Sequence, residues 1–230
     1  CLMKLSQDHI QQLFTFTRKH YVEFYDVQTE LVDHLANGIE AQWKDSPNLS
    51  FNAALKREFK KFGVFGFMDV LEQKQNAMSK TYFKLLLKFT KEWFKLPKIA
   101  LTITLFLIIN WSTKFGKDVF LILLASLLIL CLIGVFKLKY NYKKRSEQKG
   151  KKWLFESIIF QAAGSNMFLG VLNLINIVNL TSLSISLNFS YLFSFLLTLF
   201  IIGAYITLVV YPRQADSLLK KQYPEFDIIM

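Results

Sequence analysis

The ionisable side chains whose types and spacing best suit chemistry are Glu30, Asp33 and His34, in the segment YDVQTELVDHL. Histidine titrates near neutral pH, so this group suits a pH-sensitive contact or the binding of a partner. The spacing also fits a structural role, because Glu30 and His34 are four residues apart and would meet along one helix turn, with Asp33 capping or pairing nearby. Polar motif residues of small helical domains usually fix packing, which favours the structural role, and the three residues are kept as candidates for partner binding.

The familiar motifs of metal binding and catalysis are missing from the sequence. His9, His20 and His34 are not spaced as a metal-binding HxxxH pair. No GxSxG, P-loop, GxGxxG or HExxH pattern occurs either. The sequence therefore predicts a protein that is not an enzyme and that holds no cofactor or metal ion.

Long apolar stretches dominate the second half of the chain. No charged side chain occurs between Glu156 and Arg213, a run long enough for two membrane crossings, and two shorter apolar stretches precede it. We expect an all-α protein in which a small cytoplasmic helical domain is followed by a four-helix transmembrane bundle. The predicted parts are a helical domain at 1–78, a lysine-rich amphipathic connecting helix at 79–98, a bundle at 99–212 with crossings at about 97–113, 119–136, 153–178 and 189–211, and a cytoplasmic tail at 213–230.

Amide side chains interrupt the third of these crossings. Asn166, Gly170 and Asn173 fall on one helix face, and Asn176 lies at its edge. They would line a polar path or bind a small ligand or headgroup. Alternatively, they would form hydrogen bonds with a neighbouring helix, with the glycine allowing close approach. None of them is ionisable, as the residues of an ion path usually are, which favours helix packing.

The net charge of +11 is concentrated beside the apolar segments. Residues 1–78 carry 9 basic and 10 acidic side chains, so the excess indicates membrane topology rather than nucleic-acid binding. The segment Lys137–Lys152, expected to be a loop, holds eight basic residues and one acid. The positive-inside rule puts it in the cytoplasm, together with both termini of a four-crossing chain. Within it, Lys143, Lys144 and Arg145 are candidates for contacts with acidic lipid headgroups.

The first 95 residues have helical patterns. Ser6 or Asp8 would cap a first helix, and Ser50 would cap a third. A second helix, at about Glu23–Trp43, has an apolar residue at every fourth position: Val27, Leu31, Leu35, Ile39 and Trp43. Gly63 stands where a helix end favours a left-handed residue, just before the apolar turn Val64–Phe67.

These N-terminal segments resemble the HAAS-type, or permease-prefix, helical domain of bacterial membrane proteins. The resemblance covers about a third of the chain and is carried by YDVQTELVDHL and SFNAALKREFKKFG. Its recurring pattern falls on Glu30, Leu31, Asp33, His34, Leu35, Ala53, Ala54, Phe62 and Gly63. Proteins with such domains are often linked to PadR-type transcriptional regulators or fused to transporter permeases. The resemblance implies a regulatory or sensory role but no particular reaction.

Two functions from different classes follow from these patterns. The leading one is a non-enzymatic regulatory or accessory protein of the bacterial inner membrane, whose partners are membrane lipid and another membrane protein complex or a second copy of the chain. The alternative is a small oligomeric channel or transporter with a polar path lined by the third crossing. Neither involves nucleic acid.

Overall fold

The computed structural model describes residues 4–162, 170, 172, 173, 176 and 187–227. All regular elements in this part of the chain are helical, as the composition predicts. The chain forms two compact units. The N-terminal unit comprises Cys1–Lys80 and Lys149–Leu154, and the apolar unit comprises Thr81–Gln148 and Phe155–Met230.

The N-terminal unit is built on three helices and the start of a fourth. They are α1 (Gln7–Lys19), α2 (Tyr25–Asp45), α3 (Phe51–Lys60) and α4 (Met68–Trp93). The side chain of Ser6 accepts a hydrogen bond from the His9 amide, and that of Ser50 accepts one from the Ala53 amide. Both predicted caps are thereby confirmed. The predicted apolar face of α2 is also confirmed, because its five members are all buried.

A segment distant in sequence also belongs to the N-terminal unit. The Tyr25 amide donates a 2.8 Å hydrogen bond to the Lys152 carbonyl, and the Leu154 amide donates one of 3.1 Å to Asp26 Oδ1. Trp153 is buried with its ring 5.5 Å from that of Tyr25. Trp153, where the predicted third crossing begins, therefore packs against the start of α2.

The apolar unit contains the long apolar helices. They are α5 (Lys98–Ser112) and α6 (Lys117–Lys149), then α7 (Leu154–Ser157) with a π-turn at Ile158–Ala162, and α8 (Leu187–Tyr205) with a π-turn at Ile206–Val210. Short helices α9 (Tyr211–Arg213) and α10 (Ala215–Gln222) follow. Helices α5, α6 and α8 share a core formed by Ile109, Phe120, Leu124, Phe193 and Leu197.

Three helical stretches are long and apolar enough to cross a membrane: Lys98–Phe115, Asp118–Lys149 and Ser190–Arg213. They correspond to the first, second and fourth predicted crossings. Most of the third, at 153–178, lies outside the described residues.

The prediction of a loop at Lys137–Lys152 is wrong over most of this segment, because α6 continues to Lys149. Lysine, arginine, glutamate and glutamine all favour helix, and no proline or glycine occurs between Lys137 and Lys149. Gly150 has φ of 63°, a left-handed conformation that suits the residue after a helix end. The basic residues are therefore carried on a helix rather than on a loop.

The second half of α4 belongs to the apolar unit and packs there through aromatic side chains. The ring of Tyr82 lies 4.6 Å from that of Tyr211, and the ring of Trp93 lies 5.3 Å from that of Tyr205. Burial raises the pKa of the Tyr82 hydroxyl to about 12. The predicted amphipathic face of the 79–98 segment is thus a packing face against the C-terminal end of α8.

Candidate partner-binding site

Helix α2 presents the predicted acidic and histidine residues on its outer side. Because the helix repeats every 3.6 residues, burial of Leu31 and Leu35 leaves Asp33 and His34 exposed. Glu30 forms a 2.6 Å ion pair with Lys74 of α4, rather than the expected pair with His34. The His34 ring lies 5.4 Å from the Phe62 ring, edge to face. The three candidates thus share one helix, but each has a different environment.

An exposed apolar turn follows directly after Phe62. The Gly66 amide donates to the Gly63 carbonyl across 3.4 Å, which places Val64 and Phe65 at the two central positions of a turn. Val64 is 97% exposed and Phe65 is 71% exposed, and the neighbouring Met68 is half exposed. We call Val64, Phe65 and Met68 the apolar tip. Because the His34 ring contacts Phe62, His34 of α2 lies next to the residue that precedes this turn.

Two glycines fix the backbone of the apolar tip. Gly63 has φ of 76° and Gly66 has φ of 57°, both in the left-handed region that side chains with a Cβ atom disfavour. A Cβ atom on Gly66 would also lie 3.0 Å from the Phe59 ring. The left-handed backbone of Gly63 is predictable from its position after α3, whereas the exposure of the two residues that follow it is not.

A buried aromatic cluster lies beneath the tip. Phe67 is only 1% exposed, and its ring contacts four others: Phe16, His20, Phe59 and Phe62. Their centroids lie 4.8 to 6.1 Å from that of Phe67, the usual range for aromatic pairs. Buried Phe67 packs in the core and so fixes the position of the turn, whereas Phe65 is exposed with the rest of the apolar tip.

The exposed tip has an energetic consequence for binding. Full burial of a side chain such as valine or phenylalanine contributes roughly 1.5–3 kcal/mol. Burial of Val64 and Phe65 by a partner would therefore contribute roughly 3–6 kcal/mol before the costs of association. Phenylalanine and methionine, the residue types of Phe65 and Met68, are enriched at protein interfaces.

A buried polar network, which was not predicted from the sequence, joins α2 to α3. Glu58 is almost fully buried, and its Oε1 accepts hydrogen bonds from Gln42 Nε2 at 2.5 Å and from Lys61 Nζ at 2.6 Å. Its carboxyl group lies against Gly38, where a Cβ atom would overlap it. The available signal was a glycine in the middle of an otherwise strong helix, a position that usually needs a packing reason.

This network makes Gly38→Ala a discriminating variant. In an ordinary helix the change stabilises by about 0.5–1 kcal/mol. Here we expect a loss of about 1–2 kcal/mol, because the new methyl group displaces a buried and hydrogen-bonded carboxylate. Denaturant unfolding of the full-length protein in detergent measures this. In a Glu58→Ala background the same change should become neutral or stabilising; a loss of equal size there would refute the steric explanation.

The predicted polar face of the third crossing is described only in part. Asn166 lies outside the described residues. Gly170 faces α8, because a Cβ atom there would lie 2.6 Å from Phe200 Cε2. Asn173 and Asn176 are both helical and exposed. The glycine therefore serves close helix packing, as one of the two interpretations expected.

The three predicted headgroup residues occupy different positions on α6. Lys143 is exposed, with its Nζ 3.9 Å from the Glu147 carboxylate, and Lys144 is also exposed. Arg145 is partly buried and donates from Nε to Glu156 Oε1 across 2.8 Å, and it also pairs with Asp216. Arg145 therefore links α6, α7 and α10.

The described part of the chain contains no group of three histidine, cysteine, aspartate or glutamate side chains placed to hold a metal ion. Comparisons with family models, curated proteins and solved structures find no match to this chain.

Proposed function

We propose that the protein is a non-enzymatic accessory or regulatory membrane protein whose N-terminal unit binds a protein partner through the apolar tip. The observation that carries this proposal is the exposure of Val64 and Phe65 in a turn that glycines and a buried aromatic cluster hold in place. Exposed apolar groups supported by an ordered core are typical of interaction sites. Phe62, which directly precedes the turn, contacts His34, one of the predicted partner-binding residues.

Charge around the tip favours a protein partner over a lipid surface. Lys60 and Lys61 precede the tip in sequence, Asp69 follows it, and Asp33 is exposed next to His34 on α2. An apolar centre with a rim of both charge signs is the usual arrangement of protein interfaces. Insertion into an acidic membrane surface would bring the two carboxylates towards like charge.

Helix directions support a four-crossing topology for the anchor. Phe120 contacts Phe193, and Gly134 lies against Leu208, so α6 and α8 run parallel. If both cross the bilayer, the chain between them must return across it, which is the role of the predicted crossing at 153–178. With the basic end of α6 on the cytoplasmic side of a bacterial inner membrane, both termini are cytoplasmic.

Site-specific photo-crosslinking tests the proposal in native membranes. A photoreactive phenylalanine analogue at position 65 should give one dominant protein adduct. The same analogue at position 21 is the control, because Tyr21 is another exposed aromatic residue of the N-terminal unit and lies beside a separate depression with Lys151 and Lys152. Adducts to lipid alone at position 65, or the same adducts from both positions, would contradict the proposal.

Exposed asparagines favour the pore function as a second candidate. Asn173 and Asn176 lie in an apolar segment and are exposed in the single chain, so a second copy or another membrane protein would cover them. A pore formed by several copies predicts solute or ion flux in reconstituted vesicles that changes in Asn173→Leu. Absence of flux, or flux that this variant leaves unaltered, would remove this candidate.

A further inference from the structure

A pocket of about 570 Å³ lies within the apolar unit, between the C-terminal half of α6 and the segment that follows α8. Its volume is within the range of small-molecule sites. Its described lining contains apolar, basic and amide groups but no carboxylate, and it includes Leu130, Gly134, Lys137, Lys144, Leu208 and Arg213. Lys144 and Arg145 belong to the group predicted to contact headgroups, whereas Lys143 does not line the pocket.

Polarity changes along the pocket in one direction. On α6 the lining begins with Leu130 and Gly134 and ends with Lys144 and Arg145. The second wall changes in the same direction, from Leu208 and Val209 to Pro212 and Arg213, and the two helices run parallel. Both walls therefore place apolar groups at one end and cations at the other, as an amphiphilic ligand requires.

The length of the lining matches one lipid leaflet. Leu130 and Arg145 are fifteen residues apart on one helix, which corresponds to about 22 Å at 1.5 Å per residue. A leaflet with its headgroup is roughly half of a 40–45 Å bilayer. Gly134 allows the two walls to approach closely at the apolar end, since a Cβ atom there would meet Leu208 Cδ1 at 2.9 Å. A free phosphate would leave this apolar part of the pocket unused.

The cations at the basic end are available to a ligand. Within the described residues, no carboxylate lies at ion-pairing distance from Lys137, Lys144 or Arg213. Arg145 is different, because Glu156 and Asp216 hold its guanidinium and thereby fix the wall of the pocket. Asn141 lies one helix turn from both Lys137 and Lys144 and adds an amide donor.

We propose that this pocket binds one anionic phospholipid, with its phosphate at Lys137, Lys144 and Arg213 and an acyl chain along Gly134 and Leu208. The site is specific because it is a pocket on one face of α6, not the general attraction of a basic segment for an acidic membrane. The proposal does not depend on which side of the membrane the basic end lies, nor on the partner of the N-terminal unit.

Native mass spectrometry of the full-length protein, titrated with phosphatidylglycerol or phosphatidylcholine in detergent, tests the proposal. We expect one phosphatidylglycerol per chain to bind in preference to phosphatidylcholine. In Lys137→Gln with Lys144→Gln this affinity should fall by roughly 30-fold, the effect expected for two lysines at a headgroup. The matched control is Lys139→Gln with Lys143→Gln, which removes the same charge from α6 outside the pocket and should change the affinity less than about 3-fold.

Two results would overturn the proposal. Equal losses in the two double variants would indicate general electrostatic attraction without a site. Displacement of the bound lipid by glycerol phosphate at a similar concentration would show that acyl chains add nothing, and would assign the cations to a soluble phosphate compound.

Discussion

Replacement of Arg145 by methionine should lower the free energy of unfolding by about 3 kcal/mol or more. The side chain of Glu156 is fully buried, and Arg145 Nε lies 2.8 Å from its carboxylate. Loss of the guanidinium removes the cation beside this buried carboxylate and the ion pair with Asp216 on α10. Thermal or denaturant unfolding of the detergent-solubilised protein, followed by circular dichroism, measures the change.

The double variant Arg145→Met with Glu156→Leu separates this cause from general damage to α6. Removal of both members of the ion pair should recover more than half of the lost stability, because the double variant no longer buries a carboxylate whose paired cation is missing. Lys139→Met is the control at an exposed position of the same helix outside the pocket, and it should change the stability by less than about 0.5 kcal/mol. A double variant no more stable than Arg145→Met alone would show that the ion pair is not the cause.

Phe67→Ala should destabilise the N-terminal unit by about 3–5 kcal/mol. The buried ring is the common contact of the cluster formed by Phe16, His20, Phe59 and Phe62, so its removal leaves a cavity shared by α1, α3 and the turn. Hydrogen exchange of the α2 amides in the full-length protein reports this loss for the N-terminal unit by itself.

The neighbouring aromatic residue provides the matched control. Phe65→Ala should change the same exchange rates by less than the equivalent of about 0.5 kcal/mol, because most of its side chain is already in solvent. The two variants remove the same atoms two positions apart. Similar protection losses in both would mean that the tip is part of the folded core and not a surface prepared for binding.

Much of the N-terminal unit follows from local patterns in the sequence. The four-residue spacing of apolar positions in α2 identifies its buried face, because one helix period decides which side chains can reach the core. Ser50 and Gly63 identify the ends of α3 through a side-chain cap and a left-handed backbone. These features depend on neighbours along the chain and need no tertiary information.

Contacts between distant segments were not predictable in this way. Arg145 and Asp216 are 71 residues apart, and Glu30 selects Lys74 over the nearer His34. The exposure of Phe65 and the burial of Phe67 depend on where α1 and α3 lie. The position where α6 ends is not predictable for another reason. A run of lysines marks the cytoplasmic side of a membrane protein, but the same residues also favour helix, so the run does not distinguish a loop from a helix.

The most direct test of partner binding by the apolar tip is purification at native expression level in mild detergent, comparing the wild-type protein with Val64→Ser, Phe65→Ser. We expect one protein to co-purify at stoichiometric amounts with the wild type. In the variant the amount of this protein should fall by at least about 10-fold, because two exposed apolar side chains of the tip are removed. Tyr21→Asn should retain it. Partner binding by the apolar tip would be contradicted if the wild-type protein purifies without a protein partner, or if the tip variant retains the partner fully.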